Sequence, residues 1–167
     1  MSKIQIPAVL LAHILVIVLV YMLQSMIFAY LPIAGIFPVI LPLVVVGIAM
    51  FEGSARGAGY GLLAGILCDI SFNQPVALMT VTFTIIGIGV GILSETVLAR
   101  GFPTFLICCL GALLLTAFVN MFSLLFFSRV DFSSLLRVGF LQTLYSIFFA
   151  FPIYPIIRSL SRRVPSA

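Results

Sequence analysis

Long apolar runs, interrupted at a few places by turn residues or charges, fill most of the chain. The runs are continuous, as in LPLVVVGIAMF, whereas the strands of a membrane β-barrel alternate apolar and polar residues, so the pattern predicts helices. A bilayer core needs about 20 apolar residues per helix. The predicted helices lie near residues 6–29, 33–51, 55–72, 76–94, 102–128 and 135–157. We therefore predict an all-α polytopic membrane protein with about six transmembrane helices and a single integral membrane domain over residues 1–167.

The composition strengthens the membrane prediction and bears on catalysis. Hydrophobic residues make up 63% of the chain and charged residues only 7%, against about 25% charged residues in a soluble domain. Six helices leave only short loops and a basic tail, with no soluble domain to hold a catalytic site. The first run, 6–29, is longer than the apolar core of a signal peptide, which has about 7–15 residues, so we interpret it as a retained helix. We expect a protein that is not an enzyme.

The positions of the basic residues predict the orientation in the membrane, since cytoplasmic loops carry an excess of Lys and Arg. With six helices, both termini and two of the loops lie on one side. That side carries Lys3, Arg56, Arg100, Arg158, Arg162 and Arg163, whereas the other carries Arg129 and Arg137. This count predicts that both termini are cytoplasmic. The net charge of +4 then reflects orientation and contact of the tail with anionic membrane lipids, and we predict no binding of nucleic acid.

Glycine recurs at every fourth residue through the third predicted helix, in GSARGAGYGLLAGILCD. The series is Gly53, Gly57, Gly61 and Gly65, and its next position is Asp69. Residues four apart lie on nearly the same face of a helix, so the glycines form a groove that another helix can approach closely. The favoured occupant is helix four or another neighbouring helix of the same chain. Helix four has small residues on one face at Thr80, Thr84, Gly87 and Gly91. The alternative is the transmembrane helix of a partner protein.

Asp69 is a carboxylate near the outer end of an apolar helix, where a charge is costly and is a functional hypothesis by default. Three interpretations are open. Asp69 anchors the turn between helices three and four by hydrogen bonds, or it pairs with Arg129 or Arg137, or it contacts a ligand or ion. The first two together are favoured over the third. In the joining sequence NQP, Pro75 suits the first turn of the next helix.

The other polar and sulfur-containing residues predict packing rather than chemistry. Asn120 is the most polar residue on one face of helix five. His13 is the single histidine and has no cysteine, aspartate or second histidine near it in the sequence, so we interpret it as a packing residue. The three cysteines inside predicted helices, Cys68, Cys108 and Cys109, are interpreted in the same way. We predict no catalytic, cofactor-binding or metal-binding residues. No repeat with a period of 20–50 residues stands out.

The stretch from helix two to helix four carries a family pattern. A proline-led second helix, IFPVIL at 36–41, is followed by GYGLLAGILCDISFNQPVALMTV at 59–81. The second stretch has the order G-xxx-G-xxx-D, a turn, a proline and another apolar helix. In this pattern, and in length, six spans and a terminal proline-bearing helix that ends in arginines, the chain resembles the rod-shape-determining membrane protein family MreD. One departure is visible, because the family commonly has P-x-G where this chain has Pro75-Val76-Ala77.

The resemblance implies a non-enzymatic scaffold of the bacterial inner (cytoplasmic) membrane that takes part in cell elongation and the regulation of cell shape. Its main partner would be MreC, a single-span protein with a periplasmic domain. Through MreC, the chain would connect MreB filaments to peptidoglycan synthesis by RodA and its penicillin-binding partner. A homodimer stays open. The residues predicted to serve packing or partner contact are Gly57, Gly61, Gly65, Asp69, Pro75, Gly87, Gly91 and Asn120.

A rival hypothesis comes from the same resemblance. The MreD family is distantly similar in fold to the substrate-binding subunits of energy-coupling-factor vitamin transporters. The rival is therefore a small-molecule binding subunit with a pocket near Asp69. Such a pocket needs several converging polar and aromatic side chains, usually from outer loops. The outer loops here are very short except for 129–134, and tryptophan is absent, which favours the scaffold.

Overall fold

A computed structural model describes residues 5–30, 39–72, 77–96, 101–127 and 132–161 of the chain. These residues form seven α-helices. The helices are α1 (Gln5–Tyr30), α2 (Leu41–Glu52), α3 (Ser54–Phe72), α4 (Leu78–Thr96), α5 (Phe102–Phe127), α6 (Phe132–Phe148) and α7 (Ala150–Ser161). No strand occurs within these ranges. The all-α fold class that the continuous apolar runs predict is confirmed.

The second predicted helix is shorter than its apolar run. The run predicts a helix over 33–51, whereas α2 begins at Leu41 and has 12 residues. Pro42 occupies the first turn of α2, where a helix does not need the N–H that proline lacks. Residues 31–38 lie outside the described ranges. The bounds of α1, α3, α4 and α5 fall within a few residues of the prediction.

The sixth predicted helix, 135–157, is wrong as a single helix. The structure divides it at Phe149 into α6 and α7, which are bent by 50° relative to each other. Pro152 has no N–H to donate to the carbonyl of Phe148, four residues earlier, and its ring crowds that carbonyl. The N–H of Phe149 donates instead to the carbonyl of Ser146, three residues earlier, at 3.0 Å. Proline chemistry therefore breaks the helix although the apolar pattern continues through it.

α2 is the central helix of the bundle and contacts α1, α3, α4, α5 and α7. Its residues 41–50 are all buried, as expected for a helix that is apolar on every side. The surrounding helices expose large apolar side chains on their outward faces. Leu11 is 66% exposed, Ile70 73% and Phe140 70%. Faces of this kind suit contact with lipid rather than with water.

Among the described residues, two helices are long and apolar enough to cross a membrane. They are Leu78–Thr96 and Phe102–Phe122, and the bent pair Gly139–Phe148 and Ala150–Ser161 makes a third if it counts as one span. Leu10–Met26 and Leu41–Glu52 are shorter apolar helices. The structure is therefore that of a helical protein with two or three helices suited to crossing a membrane.

Side chains from two other helices cap the amino end of α2. Gln24 Oε1, on α1, accepts hydrogen bonds from the N–H groups of Ile40 at 2.9 Å and Leu41 at 3.3 Å. Ser146 Oγ, on α6, accepts one from the N–H of Val39 at 2.9 Å. The first N–H groups of a helix have no partner inside the helix, and hydrocarbon offers them no water. Gln24 and Ser146 therefore supply the missing acceptors and join α1 and α6 to the central helix.

Candidate functional site

The glycine series of α3 lies directly against α4. A Cβ atom placed on Gly57 would lie 2.6 Å from the carbonyl oxygen of Gly87, and one on Gly61 would overlap the carbonyl oxygen of Phe83. A Cβ on Gly65 would likewise overlap the Cα of Thr80. Backbone meets backbone along this line, so only hydrogen fits at these positions. The structure thus places the groove within the chain, with α4 as its occupant.

The first glycine of the series, Gly53, has a different role from the other three. Gly53 ends α2 with φ +91°, a conformation that side-chain-bearing residues rarely adopt, and its N–H donates to the carbonyl of Ala49 at 3.0 Å. Gly91, near the end of α4, lies against the Cα of Ser54. Gly53 therefore makes the turn between α2 and α3, whereas Gly57, Gly61 and Gly65 make the interface.

Asp69 caps the amino end of α4. Its Oδ1 accepts a hydrogen bond from the N–H of Met79 at 3.1 Å, and its Oδ2 accepts from the N–H of Thr80 at 2.9 Å and from the Thr80 hydroxyl at 2.6 Å. A carboxylate at this position satisfies N–H groups that the helix leaves unpaired and opposes the positive end of the helix dipole. Of the three interpretations of Asp69, this is the hydrogen-bond anchor of the hairpin.

The other proposed partners of Asp69 do not lie beside it in the described part of the chain. Arg129 lies outside the described ranges, and Arg137 is exposed on α6. The two ion pairs among the described residues both involve Glu52. Pro75, also predicted as a packing residue, lies outside the described ranges.

Asn120 lies beside a small cavity between α5, α6 and Val39, which precedes α2, away from the α3–α4 hairpin. The cavity has a volume of about 10 Å³, and its walls include Val39, Thr116, Asn120, Gln142 and Thr143. That volume is about that of one water position. The structure therefore separates Asn120 from Asp69 and from the glycine series, with which it was grouped on sequence alone.

A polar cluster, formed by the buried side chains of His13, Glu52 and Tyr60 and the exposed Arg56, lies where α1, α2 and α3 meet. His13 Nε2 is 3.3 Å from Glu52 Oε1, and the side chains are only 1% and 3% exposed. Glu52 Oε2 is 3.4 Å from Nη1 of Arg56, whose side chain is 43% exposed. The Tyr60 ring lies 5.5 Å from the His13 ring, centroid to centroid. The contact is an ion pair when the imidazole is protonated.

The sequence alone did not predict this cluster. The sequence predicts His13 to be a satisfied packing residue, and the structure places it in the interior beside a partner that the sequence did not indicate, Glu52. The two residues are 39 positions apart and lie on different helices, α1 and α2. The sequence did contain a signal, because the predicted six-helix topology makes the first two helices antiparallel neighbours. The start of α1 and the end of α2 must therefore lie at the same side of the bundle.

A second carboxylate, Glu95, caps the amino end of α3. Its Oε1 accepts hydrogen bonds from the N–H of Ser54 at 2.9 Å and from the Ser54 hydroxyl at 3.4 Å. The hydroxyl of the preceding residue, Ser94, donates to the carbonyl of Met50 near the end of α2 at 2.6 Å. These contacts hold the α2–α3 turn against the end of α4. Sequence analysis assigned Glu95 no role.

The polar side chains described above are engaged in contacts between helices. Among the described residues, no group of three His, Cys, Asp or Glu side chains is placed to hold a metal. Cys68, Cys108 and Cys109 are free thiols, two of them buried. Asp69 and Glu95 are both engaged by backbone N–H groups. The arrangement joins helices through their ends, which is what an apolar solvent requires of a polar side chain.

Comparison with known proteins yields no relative of this chain. No protein-family model, no curated protein and no solved structure matches it.

Proposed function

We propose that this chain is a non-enzymatic scaffold of the bacterial inner membrane, with a role like that of the MreD family in cell elongation. Its partner is then MreC, and through MreC the chain joins the MreB filaments to the peptidoglycan-synthesising RodA and its penicillin-binding partner. The basis is the motif that ends in Asp69, GYGLLAGILCD at 59–69, with the turn and second helix that follow it.

The observation that supports this proposal is that the Asp69 side chain caps the amino end of α4. Both of its carboxylate oxygens accept hydrogen bonds from the first turn of α4, at 2.6–3.1 Å. A carboxylate that recognises a ligand must instead present its oxygens to a pocket. The residue that ends the family-like motif therefore serves the architecture of the hairpin, which supports a scaffold over a binding subunit.

The packing also weighs against the rival hypothesis of a vitamin-binding subunit. Small-molecule pockets have volumes of about 300–1,000 Å³. The cavity beside Asn120 has about 10 Å³, which is too small for a vitamin. The glycine groove is filled by α4 along its length. Neither place offers room for a small organic ligand.

The proposal includes six spans with both termini in the cytoplasm. In this arrangement α1 to α5 each cross once, and α6 and α7 together make the last crossing. The prediction is that green fluorescent protein fused to either terminus fluoresces and that alkaline phosphatase fused to either terminus is inactive, because cytoplasmic segments carry the excess of Lys and Arg. Active phosphatase at one terminus would contradict an even number of spans.

The decisive test of the scaffold is clean deletion of the gene in the bacterium that encodes it. The expected result of the deletion is that rod-shaped cells become spherical. When the chain is restored with an affinity tag, it is expected to copurify with the MreC protein of the same bacterium. An unrelated membrane protein that carries the same tag is the control for nonspecific copurification in detergent. Cells that stay rod-shaped after deletion contradict the scaffold. The rival requires instead that the purified chain retain a radiolabelled vitamin through gel filtration and that Asp69→Asn abolish this retention.

A further inference from the structure

Two stretches of the hairpin share a pattern at an offset of 26 residues. GILCD at 65–69 corresponds to GILSE at 91–95, and the correspondence extends back to the start of both helices. The equivalent pairs are Ser54 and Thr80, Gly61 and Gly87, Gly65 and Gly91, Cys68 and Ser94, and Asp69 and Glu95. Sequence analysis found no repeat in this range of periods, because few of the positions are identical. The contacts between α3 and α4 make the repeat visible.

The glycine contacts between α3 and α4 follow the same offset. Adding 26 to the α3 residue of a contact and subtracting 26 from its α4 residue gives another contact that is present. Gly65 lies against Thr80, and the equivalent contact, Gly91 against Ser54, is also present. Gly57 and Gly87 lie against each other's backbone. The 26-residue offset converts that pair into Phe83 and Gly61, which is the neighbouring contact along the groove. Antiparallel helices related in this way are exchanged by a two-fold axis perpendicular to them.

The carboxylate caps obey the offset as well. Asp69 accepts from the N–H and the hydroxyl of Thr80, and Glu95 accepts from the N–H and the hydroxyl of Ser54. In each half, 15 residues separate the hydroxyl residue from the acid. At a rise of 1.5 Å per residue this separation is about 22 Å, so the two caps lie at opposite ends of the hairpin.

We propose that α3 and α4 are two inverted copies of one helix unit, Ser54–Asp69 and Thr80–Glu95, and that their acids form two equivalent locks. Each lock closes its own end of the hairpin and fixes the register of the glycine interface there. The two ends open independently, because neither lock contacts the other. The inference rests on the contacts of α3 and α4 alone and does not depend on the proposed function.

The positions where the two copies differ support this assignment. Arg56 and Tyr60 of α3 correspond to Thr82 and Ile86 of α4. Both α3 residues belong to the polar cluster around Glu52, whereas Thr82 donates its hydroxyl to the carbonyl of Leu78 in its own helix. The copies therefore match at the five pairs named above and differ where α3 meets α1 and α2. They also differ at Gly57, which corresponds to Phe83, and there α4 contributes its backbone carbonyl to the interface.

Amide hydrogen exchange on the full-length protein in detergent or nanodiscs tests the two locks. Asp69→Ala is expected to speed exchange about tenfold at residues 78–82 and to leave 54–58 unchanged, since a lost cap frays its own helix end. Glu95→Ala is expected to do the reverse. The matched control is Thr84→Val, whose hydroxyl donates to its own helix at the Thr80 carbonyl. This variant should change neither end.

Two results overturn the proposal. If either alanine variant speeds exchange at both ends, the hairpin opens as one unit and the locks are not independent. If Glu95→Ala leaves 54–58 unchanged, the two acids are not equivalent and the repeat has no structural meaning. Should Asp69→Ala fail to fold, the milder pair Thr80→Val and Ser54→Ala decides, because each removes only the hydroxyl bond of one lock. Thr80→Val must then raise exchange at 78–82 only.

Discussion

Replacing Gly61 with leucine is expected to lower the apparent melting temperature of the purified protein by about 10 °C. A Cβ atom at Gly61 overlaps the carbonyl oxygen of Phe83 and lies 2.9 Å from its carbonyl carbon. The obstacle is backbone on a helix that is itself packed, so no side chain can turn away to make room. Overpacking of this kind costs about 3 kcal/mol, and for a chain of this size each kcal/mol shifts the melting temperature by about 2–4 °C.

The chain offers a matched control two residues away. Gly59 lies on the same helix, is exposed, and has no atom within 4 Å of an added Cβ. Gly59→Leu should therefore leave the melting temperature unchanged or raise it slightly, because leucine is the better helix former. Gly87→Leu and Gly89→Leu repeat the comparison on α4. A Cβ atom added to Gly87 overlaps the Gly57 backbone, whereas one added to Gly89 has no atom within 4 Å. Equal melting temperatures for Gly61→Leu and Gly59→Leu would contradict the close backbone interface.

The hairpin could be predicted from sequence because its information is local. A glycine at every fourth position defines one face of one helix. In an apolar environment, such a face allows a second helix to approach closely. Asp69 continues the same series, and its position near the turn made a hydrogen-bond anchor of the hairpin one of the three interpretations that the sequence left open. The exact donors could not be predicted, since the N–H groups of Met79 and Thr80 reach the Asp69 carboxylate only once the turn is closed.

The features that the sequence did not predict depend on the meeting of distant segments. Glu95 reaches Ser54 across 41 positions, and His13 reaches Glu52 across 39. Neither pair follows a helical period, so nothing in the local pattern relates the partners. The break at Phe149 is a different case. Pro152 was visible, but membrane helices tolerate proline when neighbours satisfy the freed carbonyls, so the residue alone did not distinguish a kink from a break.

The buried pair of His13 and Glu52 gives the second large expected effect. His13→Leu removes the imidazole 3.3 Å from Glu52 Oε1 and leaves a carboxylate that is 3% exposed. Arg56 remains 3.4 Å from the other oxygen, but its side chain is 43% exposed and partly engaged by solvent. Removing one partner of a buried pair costs about 3–5 kcal/mol because the other charge stays buried. The expected fall in melting temperature is about 10 °C.

The double variant His13→Leu/Glu52→Leu separates a charge effect from a packing effect. Replacing both members of a buried pair with apolar residues is often neutral or stabilising, so the double variant should melt above His13→Leu. Tyr60→Phe is the control within the same cluster. Its buried hydroxyl has no hydrogen-bond partner among the described residues, so its removal should cost nothing. If the double variant melts below His13→Leu, the two side chains act through shape rather than charge, and the pair does not attach α1 to α2 electrostatically.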